Sequence, residues 1–508
     1  MNDLLTNMEF PEIFIGFVAP IGVDLDETIS AFEAYFSSCD YDVVKIRITD
    51  HFEEYADLIP PIEKLSNSSF EKRYQTHIAY GNQLRRKFND NAILASAAIF
   101  EIVSNRDEIK RKRKKDRRKI DDFTKTVYLI RQFKRQEEVE LFRSVYRENF
   151  FQVSVYSRRG ARVDYLSRRI AESRGSANIT DFRSMAEELV SIDENERDKF
   201  GQKVGKIFHD ADLIINSDIA EPEVSSQVER FCELLFSSNV ISPSKLEYGM
   251  FAAKAAALRT LDLSRQVGAA IFSANGEIIC LGSNEVPKAL GGTYWESDGK
   301  IDDRDYKRKK DTNYIRKVEI VREVLKAILP NENIEELVKS KKVQDLQIMD
   351  ALEYGRIIHA EMAAISDAAR LGRELKDSIL YCTTFPCHMC ARHIVSSGIK
   401  KVYFLEPYPK SLSVNLHTDS ISFEGEDRGE YSEYPMVEFL HFYGVTPRRY
   451  RELFERSKRK NDDGILESYI NNHKRPNINI KTPNYSEYEV FILNNLRAAW
   501  KTIRNAEV

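Results

Sequence analysis

His359, Glu361, Cys387 and Cys390 are the residues of this chain whose types and spacing point most directly to chemistry. They stand in two short runs, His359-Ala360-Glu361 and Pro386-Cys387-His388-Met389-Cys390. One imidazole and two thiolates supply three zinc ligands and leave the fourth position of a catalytic site open to water. Zinc brings the pKa of such a water close to neutrality. A carboxylate two residues past the histidine is placed to move protons, so Glu361 is the expected general acid and base. H-x-E followed by P-C-x-x-C fits hydrolytic attack on an amidine carbon with release of ammonia. A lone C-x-x-C says little, whereas both runs in this order on two helices say much more. A structural zinc knuckle is the alternative, and His388 and His393 compete as ligands by proximity alone.

Local elements must hold these groups. Pro386 marks a helix start, and the three-residue step puts both sulfurs on one face. The helix N-terminus and the metal both favour thiolate. His359 opens the preceding helix. SILYCTTF (378–385) reads as a strand, HMCARHIVSSG (388–398) as a helix and KKVYFLEP (400–407) as a strand. Upstream, EYGMFAAKAAALRTL (247–261) reads as a helix. QVGAAIFSA (266–274) and GEIICLGSN (276–284) read as paired strands joined by an Asn275-Gly276 turn. Residues 291–350 are highly charged and read as an insertion with one helix near KVEIVREVLKAIL (317–329).

The first half alternates as well. IFIGFVAP (13–20) suits a buried strand, and LDETISAFEAYF (25–36) places Leu25, Ile29, Phe32 and Phe36 on one helical face. Asp24 is an expected cap for that helix, with Glu27 in a capping-box position. YDVVKIRI (41–48), TVYLIRQF (126–133), FFQVSVYS (150–157) and DADLIINS (210–217) read as further strands. NAILASAAIFEIV (91–103) and EEVELFRSVYRENF (137–150) read as helices. This alternation is that of an α/β domain with parallel strands. SSNVISPSK (237–245) is the expected boundary.

At 508 residues, two or three domains are expected. A net charge of -4 removes any global basic field that would advertise nucleic acid. KRKRKKDRRK (110–119) is a local exception, either a solvated loop or a phosphate- or RNA-binding one. Arg131, Lys134 and Arg135 flank a strand end, with a solvated face or phosphate contact as the two options. Six cysteines, at 39, 232, 280, 382, 387 and 390, are too sparse for a disulfide scaffold. No signal-peptide pattern and no membrane-length apolar run is present, so a cytoplasmic location is expected.

SRQVGAAI (264–271), GSNEVP (282–287), HAEMAAI (359–365) and FPCHMCARHIVSSGIKKVYF (385–404) resemble deoxycytidylate deaminases. LEPYPKS (405–411) and the N-terminal stretches GFVAPIGVDLDE (16–27), YGNQLR (80–85) and RDKFGQKVGKIFHDADLIIN (197–216) narrow the resemblance. They are similar to bacterial antiphage dCTP/dCMP deaminases. The resemblance implies an N-terminal P-loop-kinase-like parallel sheet domain (1–236) and a C-terminal cytidine-deaminase-like α/β/α domain (240–446). That second domain would have a five-stranded sheet and be followed by a helical tail (447–508). It implies zinc-dependent deamination of dCTP and dCMP, which drains the deoxycytidine nucleotide pool that phage replication needs. A homo-oligomer and a small inhibitory RNA are implied partners. Asn284 would contact pyrimidine or sugar, Arg265 the phosphate, and Tyr408 and Lys410 phosphate or sugar. The alternatives for these four are a turn residue, a surface ion pair and ordinary loop residues.

The first domain departs from its pattern. A working P-loop reads G-x-x-x-x-G-K-[ST] after a strand. Here Gly16 and Gly22 frame the turn, but Val23 and Asp24 replace the lysine and the hydroxyl residue. Asp24 would repel a phosphate at the helix N-terminus, so a regulatory or platform role is expected instead of phosphoryl transfer. A polynucleotide cytosine deaminase and a non-catalytic nucleotide sensor remain as alternative functions.

Overall fold

A computed structural model describes residues 7–115, 122–196, 198–408 and 411–506. They fall into two compact units, one formed by the described residues up to Pro243 and from Tyr443 onward, the other by Ser244–Phe442. The first unit contains parallel strands β1 (Ile13–Val18), β2 (Asp42–Arg47), β3 (Thr126–Arg131), β4 (Phe150–Tyr156) and β5 (Leu213–Asn216). β1 lies between β3 and β4 and is buried along its whole length. Ile13, Ile15 and Phe17 face Phe32 and Phe36 of the helix Asp26–Ser38, while Phe14 on the other face stacks on Tyr128 and Tyr146. Burial on both faces explains why β1 reads as an unbroken apolar run. Asp24 does not cap the following helix as expected. Its Oδ1 accepts the N–H of Asp26 at 2.9 Å and closes a turn one residue early, so Leu25 takes the cap position.

In the second unit, β6 (Gly268–Phe272) and β7 (Ile278–Ser283) form the expected hairpin, with Gly276 at φ +105° in its turn. β8 (Ile379–Thr384), β9 (Lys401–Glu406), β10 (Ile421–Phe423) and β11 (Val437–His441) complete a sheet of order β10-β11-β9-β8-β6-β7. It has six strands where five were expected, because the short β10 adds an edge beside β11. Two glycines set the layers. A Cβ on Gly268 would collide with the backbone of Ala253, and one on Gly282 with that of Ala360 and Ala364. These positions lie on opposite sheet faces, so each admits one helix at backbone contact: Lys245–Ala257 on one side and Ala360–Arg370 on the other. The second approach fixes the start of the helix that carries Glu361.

The charged stretch 291–350 is more than a loop with one helix. Thr312–Ile328, Ile334–Lys339 and Lys341–Gln344 are helical, and Val321, Val338, Val343 and Met349 form a small core of their own. Charges on the outer faces had hidden those four apolar positions.

After Phe442 the chain rejoins the first unit, where β12 (Gly444–Val445) pairs antiparallel with β5. The helical tail expected over 447–508 falls in this unit. The helix Tyr485–Ala506 covers the Phe14 face of the first sheet, with the Tyr485 ring 5.6 Å from that of Phe14. Arg106 clamps it, reaching Glu12 at 2.8 Å and Glu489 at 2.7 Å. Among the described residues no helix is long and apolar enough to cross a membrane.

Candidate metal and substrate site

His359 ends an extended segment at the cap of the helix Ala360–Arg370, and Cys387 caps the helix His388–Ser396. The two caps face each other. His359 Nδ1 lies 3.3 Å from Cys387 Sγ and 3.4 Å from Cys390 Sγ. Tetrahedral zinc, with bonds of ~2.0–2.1 Å to nitrogen and ~2.3 Å to sulfur, requires N···S separations of about 3.6 Å. The three donors therefore fit a zinc ion. Among the described residues no fourth His, Cys, Asp or Glu joins the group, which leaves the open position that a catalytic site needs and a structural knuckle lacks.

The electrostatics at Cys387 suit metal binding, which takes the thiolate, while His359 must give up its proton to bind a metal. The hydrogen bond with Cys390, against the pull of burial and helped by His359, brings the Cys387 thiol down to about 4. Burial lowers the His359 pKa, but the Cys387 thiolate and the Glu361 carboxylate outweigh it and carry the imidazolium up to about 9. Burial raises the Glu361 pKa, the Cys387 thiolate adds to the rise, and His359 opposes it. With only 4% of its surface exposed, Glu361 is a carboxyl poised to hold and hand on a proton.

His388 does not join the triad. Its Nε2 pairs with Glu353 Oε1 at 3.2 Å, and His393 sits in the last turn of the same helix, outside the donor group. His388→Ala is expected to keep the wild-type zinc content of one ion per chain, measured by metal analysis of purified protein.

A cavity of about 190 Å³ opens beside the triad. His359, Glu361, Cys387, Asn284, Arg265 and Tyr408 all line it. Lys410 lies outside the described residues. Asn284 is buried and already engaged: Oδ1 accepts the Val267 N–H at 2.7 Å, and Nδ2 donates to Asp262 Oδ2 at 2.6 Å and to the Arg265 carbonyl at 2.8 Å. Both amide hydrogens are spent within the protein, so its first task is to shape the 262–267 wall. Asn284→Ala orphans the Val267 N–H and Asp262 Oδ2, while Asp262 Oδ1 keeps the Ser264 N–H at 3.1 Å. A loss of ~1–3 kcal/mol is expected, read as a lower melting temperature together with a raised KM. Arg265, 49% exposed, pairs with Glu406 at 2.5 Å.

Sequence reasoning missed Asp262 and the part of the insertion that reaches the cavity, namely Asp305, Asp311, Thr312 and Asn313, together with Arg356. Asp262 lies three residues before Arg265, and that proximity was the one signal available. The insertion gave none, since its charges look like a solvated surface.

Residues 243–406 match a family model described as cytidine and deoxycytidylate deaminase zinc-binding region. But for Pro243, that match lies within the second unit. The deoxycytidylate deaminase of Enterobacteria phage T2 is 46% identical over 54 residues, 11% of this chain and 29% of that protein. ComE operon protein 2 of Bacillus subtilis (strain 168) is 42% identical over 53 residues, 10% of this chain and 28% of that protein. The chain thus spans under a third of the length of these curated relatives. Among solved structures, the dCMP deaminase of cyanophage S-TIM5 in complex with dCMP and dUMP shares 18% identity. That similarity covers 39% of this chain and 98% of that one, with a TM-score of 0.22.

In the first unit, Gly16 lies within β1, where a Cβ would press into the rings of Phe133 and Phe150. Gly22, at φ +91°, sits where a Cβ would stand 2.8 Å from the Arg162 carbonyl oxygen. The turn between them already holds an anion. Asp193, 1% exposed as a side chain, accepts the Ile21 N–H at 2.7 Å and the Lys134 ammonium at 2.7 Å. Lys134 also donates to the Ala19 carbonyl. Arg131 pairs at the surface with exposed Asp26, whereas buried Arg135 binds Glu137 and the Lys199 carbonyl, so Lys134 and Arg135 form structural pairs and only Arg131 keeps a solvated partner. The basic run 110–119 is likewise no simple loop. Residues 110–115 end a helix in which buried Arg113 pairs with Asp42 at 2.9 Å, and residues 116–119 lie outside the described residues.

Proposed function

We propose that this protein is a zinc-dependent hydrolytic deaminase of free deoxycytidine nucleotides, acting on dCMP and dCTP. The observation that carries this is the buried Glu361 carboxyl beside a three-donor metal site, both facing one cavity. Zinc held by His359, Cys387 and Cys390 supplies a Lewis acid that makes water a nucleophile near neutral pH. Glu361 takes the proton from the attacking water and delivers it to the ring nitrogen as C4 becomes tetrahedral. It then moves the second proton from the new hydroxyl to the amino group, which leaves as ammonia, and the C4 carbonyl forms. Water and an amidine thus become a carbonyl and ammonia, with no redox change. Burial of Glu361 supports this role, because a carboxyl with a raised pKa serves as base and then as acid near neutrality.

Uracil nucleotides accumulate at the expense of the deoxycytidine pool, consistent with the antiphage role that the resemblance implies. Of the basic run, Arg113 is spent on structural pairs while Arg111, Lys112, Lys114 and Lys115 are exposed, so the assay below decides the polynucleotide alternative. In the first unit, Asp193 at the turn after β1 favours a platform or regulatory role over phosphoryl transfer, with oligomer contacts or a small RNA as its inputs. The test is ammonia release by purified protein from dCMP, dCTP, deoxycytidine, CTP and single-stranded DNA. Release from dCMP or dCTP supports the proposal, and release from DNA alone refutes it.

A further inference from the structure

Two guanidinium groups line the cavity, and they are held differently. Arg265 is paired with one carboxylate, Glu406. Arg356, three residues before the ligand histidine, sits in a cradle built by the insertion. Its Nη1 donates to the Asp303 carbonyl at 3.0 Å and to Asp305 Oδ1 at 2.9 Å, and its Nη2 to Asp303 Oδ2 at 3.2 Å. The Asp305 side chain is 6% exposed and the Asp303 side chain 46%. One edge of the guanidinium is therefore fixed by a buried partner, and the other carries a replaceable surface carboxylate.

Asp303 also has a second cation. Arg308 Nε donates to its Oδ1 at 3.0 Å, and Arg308 Nη2 pairs with its Oδ2. If Asp303 leaves Arg356 it stays paired with Arg308, so the exchange strands no charge. The cradle is anchored as well. Arg304 joins Asp302 at 2.8 Å and Glu285 at 3.4 Å, all three being buried. The Glu285 carbonyl accepts the Ile358 N–H at 3.1 Å. Glu285, two residues past the end of β7, thus ties both the insertion and the Arg356 segment to the wall of the cavity.

We propose that Arg356, cradled by Asp303 and Asp305 of the insertion, is a specificity-determining residue that binds the phosphate of the nucleotide substrate, with Asp303 passing to Arg308 as the phosphate takes its place. A planar guanidinium with one replaceable edge is suited to a phosphate oxyanion. This rests on the deaminase reading, and it makes the insertion, not the zinc motif, the element that separates nucleotides from nucleosides.

The test compares dCMP with deoxycytidine on the zinc-loaded full chain, by kcat and KM and by equilibrium binding to the turnover-dead Glu361→Gln protein. Arg356→Ala is expected to raise KM and Kd for dCMP by about tenfold or more, the scale of a charge-assisted hydrogen bond. Deoxycytidine should change less than about threefold on the same scale. Arg356→Lys should fall between, because a point charge replaces a fork. Equal losses for dCMP and deoxycytidine would mean that Arg356 only supports the wall, and no loss for either would mean that it does not touch substrate. Both results overturn the assignment while leaving the deaminase reading intact. Failure of the wild-type chain to bind either compound overturns both. Zinc content and melting temperature of each variant separate misfolding from lost recognition.

Discussion

Glu361→Gln is expected to retain zinc and fold while deamination falls by at least ~10³-fold, in the upper part of the range for losing a general acid–base group. The glutamine has the same shape, so the cavity keeps its volume. It is also neutral, so its burial removes a cost: the pKa of the native carboxyl is raised by desolvation and by the Cys387 thiolate. Stability should therefore stay level or rise, which separates this variant from one that merely misfolds. The loss should appear in kcat and not in KM, because the carboxyl acts on protons in flight while the cavity wall holds the substrate. Ammonia release, zinc content and melting temperature, measured on one preparation, check all three expectations. Activity within about tenfold of wild type would assign the proton transfers to another group.

What was legible in the sequence is what local spacing encodes. Cys387 and Cys390 lie one helical step apart, and His359 and Glu361 are two residues apart, so residue type and position state the donor set without knowledge of the fold. Strands with both faces covered, such as Ile13–Val18, show as unbroken apolar runs. What stayed hidden depends on partners far along the chain. Asp193 meets Ile21 across 172 positions, and Glu489 meets Arg106 across 383. No periodicity announces such a pairing, and both residues look like ordinary helix-surface acids. The strand Ile421–Phe423 is too short for alternation to stand out. The insertion misled for a related reason. Arg304, Asp302 and Asp305 read as solvated charges, yet they are buried because Arg304 pairs with Asp302 and Arg356 with Asp305. The same self-pairing turned Lys134 and Arg135 from an apparent cationic face into internal struts, while Arg131 pairs with Asp26 at the surface.

That self-pairing sets the second large expectation. Asp193→Ala should destabilise the first unit by ~3–5 kcal/mol, the cost of breaking a buried ion pair on one side. The native carboxylate satisfies two donors at once, the buried Ile21 N–H and the partly buried Lys134 ammonium. Removing it leaves Lys134 with the Ala19 carbonyl as its recorded hydrogen-bond acceptor and Ile21 with an orphaned amide. Asp193→Asn separates the two contributions. Its amide oxygen can still accept the Ile21 N–H, but it has no charge for Lys134, so its loss should be clearly smaller than that of alanine. Lys134→Met in the Asp193→Asn background removes the cation together with its partner. It should recover stability relative to Asp193→Ala, because replacing both members of a buried pair spares the desolvation of the survivor. Denaturant titration with probes in each unit reads this, since the second unit, with its own sheet and zinc site, should unfold at its wild-type midpoint. Equal losses for alanine and asparagine would mean that the charge contributes nothing. The turn after β1 would then be held by the Ile21 hydrogen bond and by the packing of Gly22 against Arg162, and Lys134 would be a bystander.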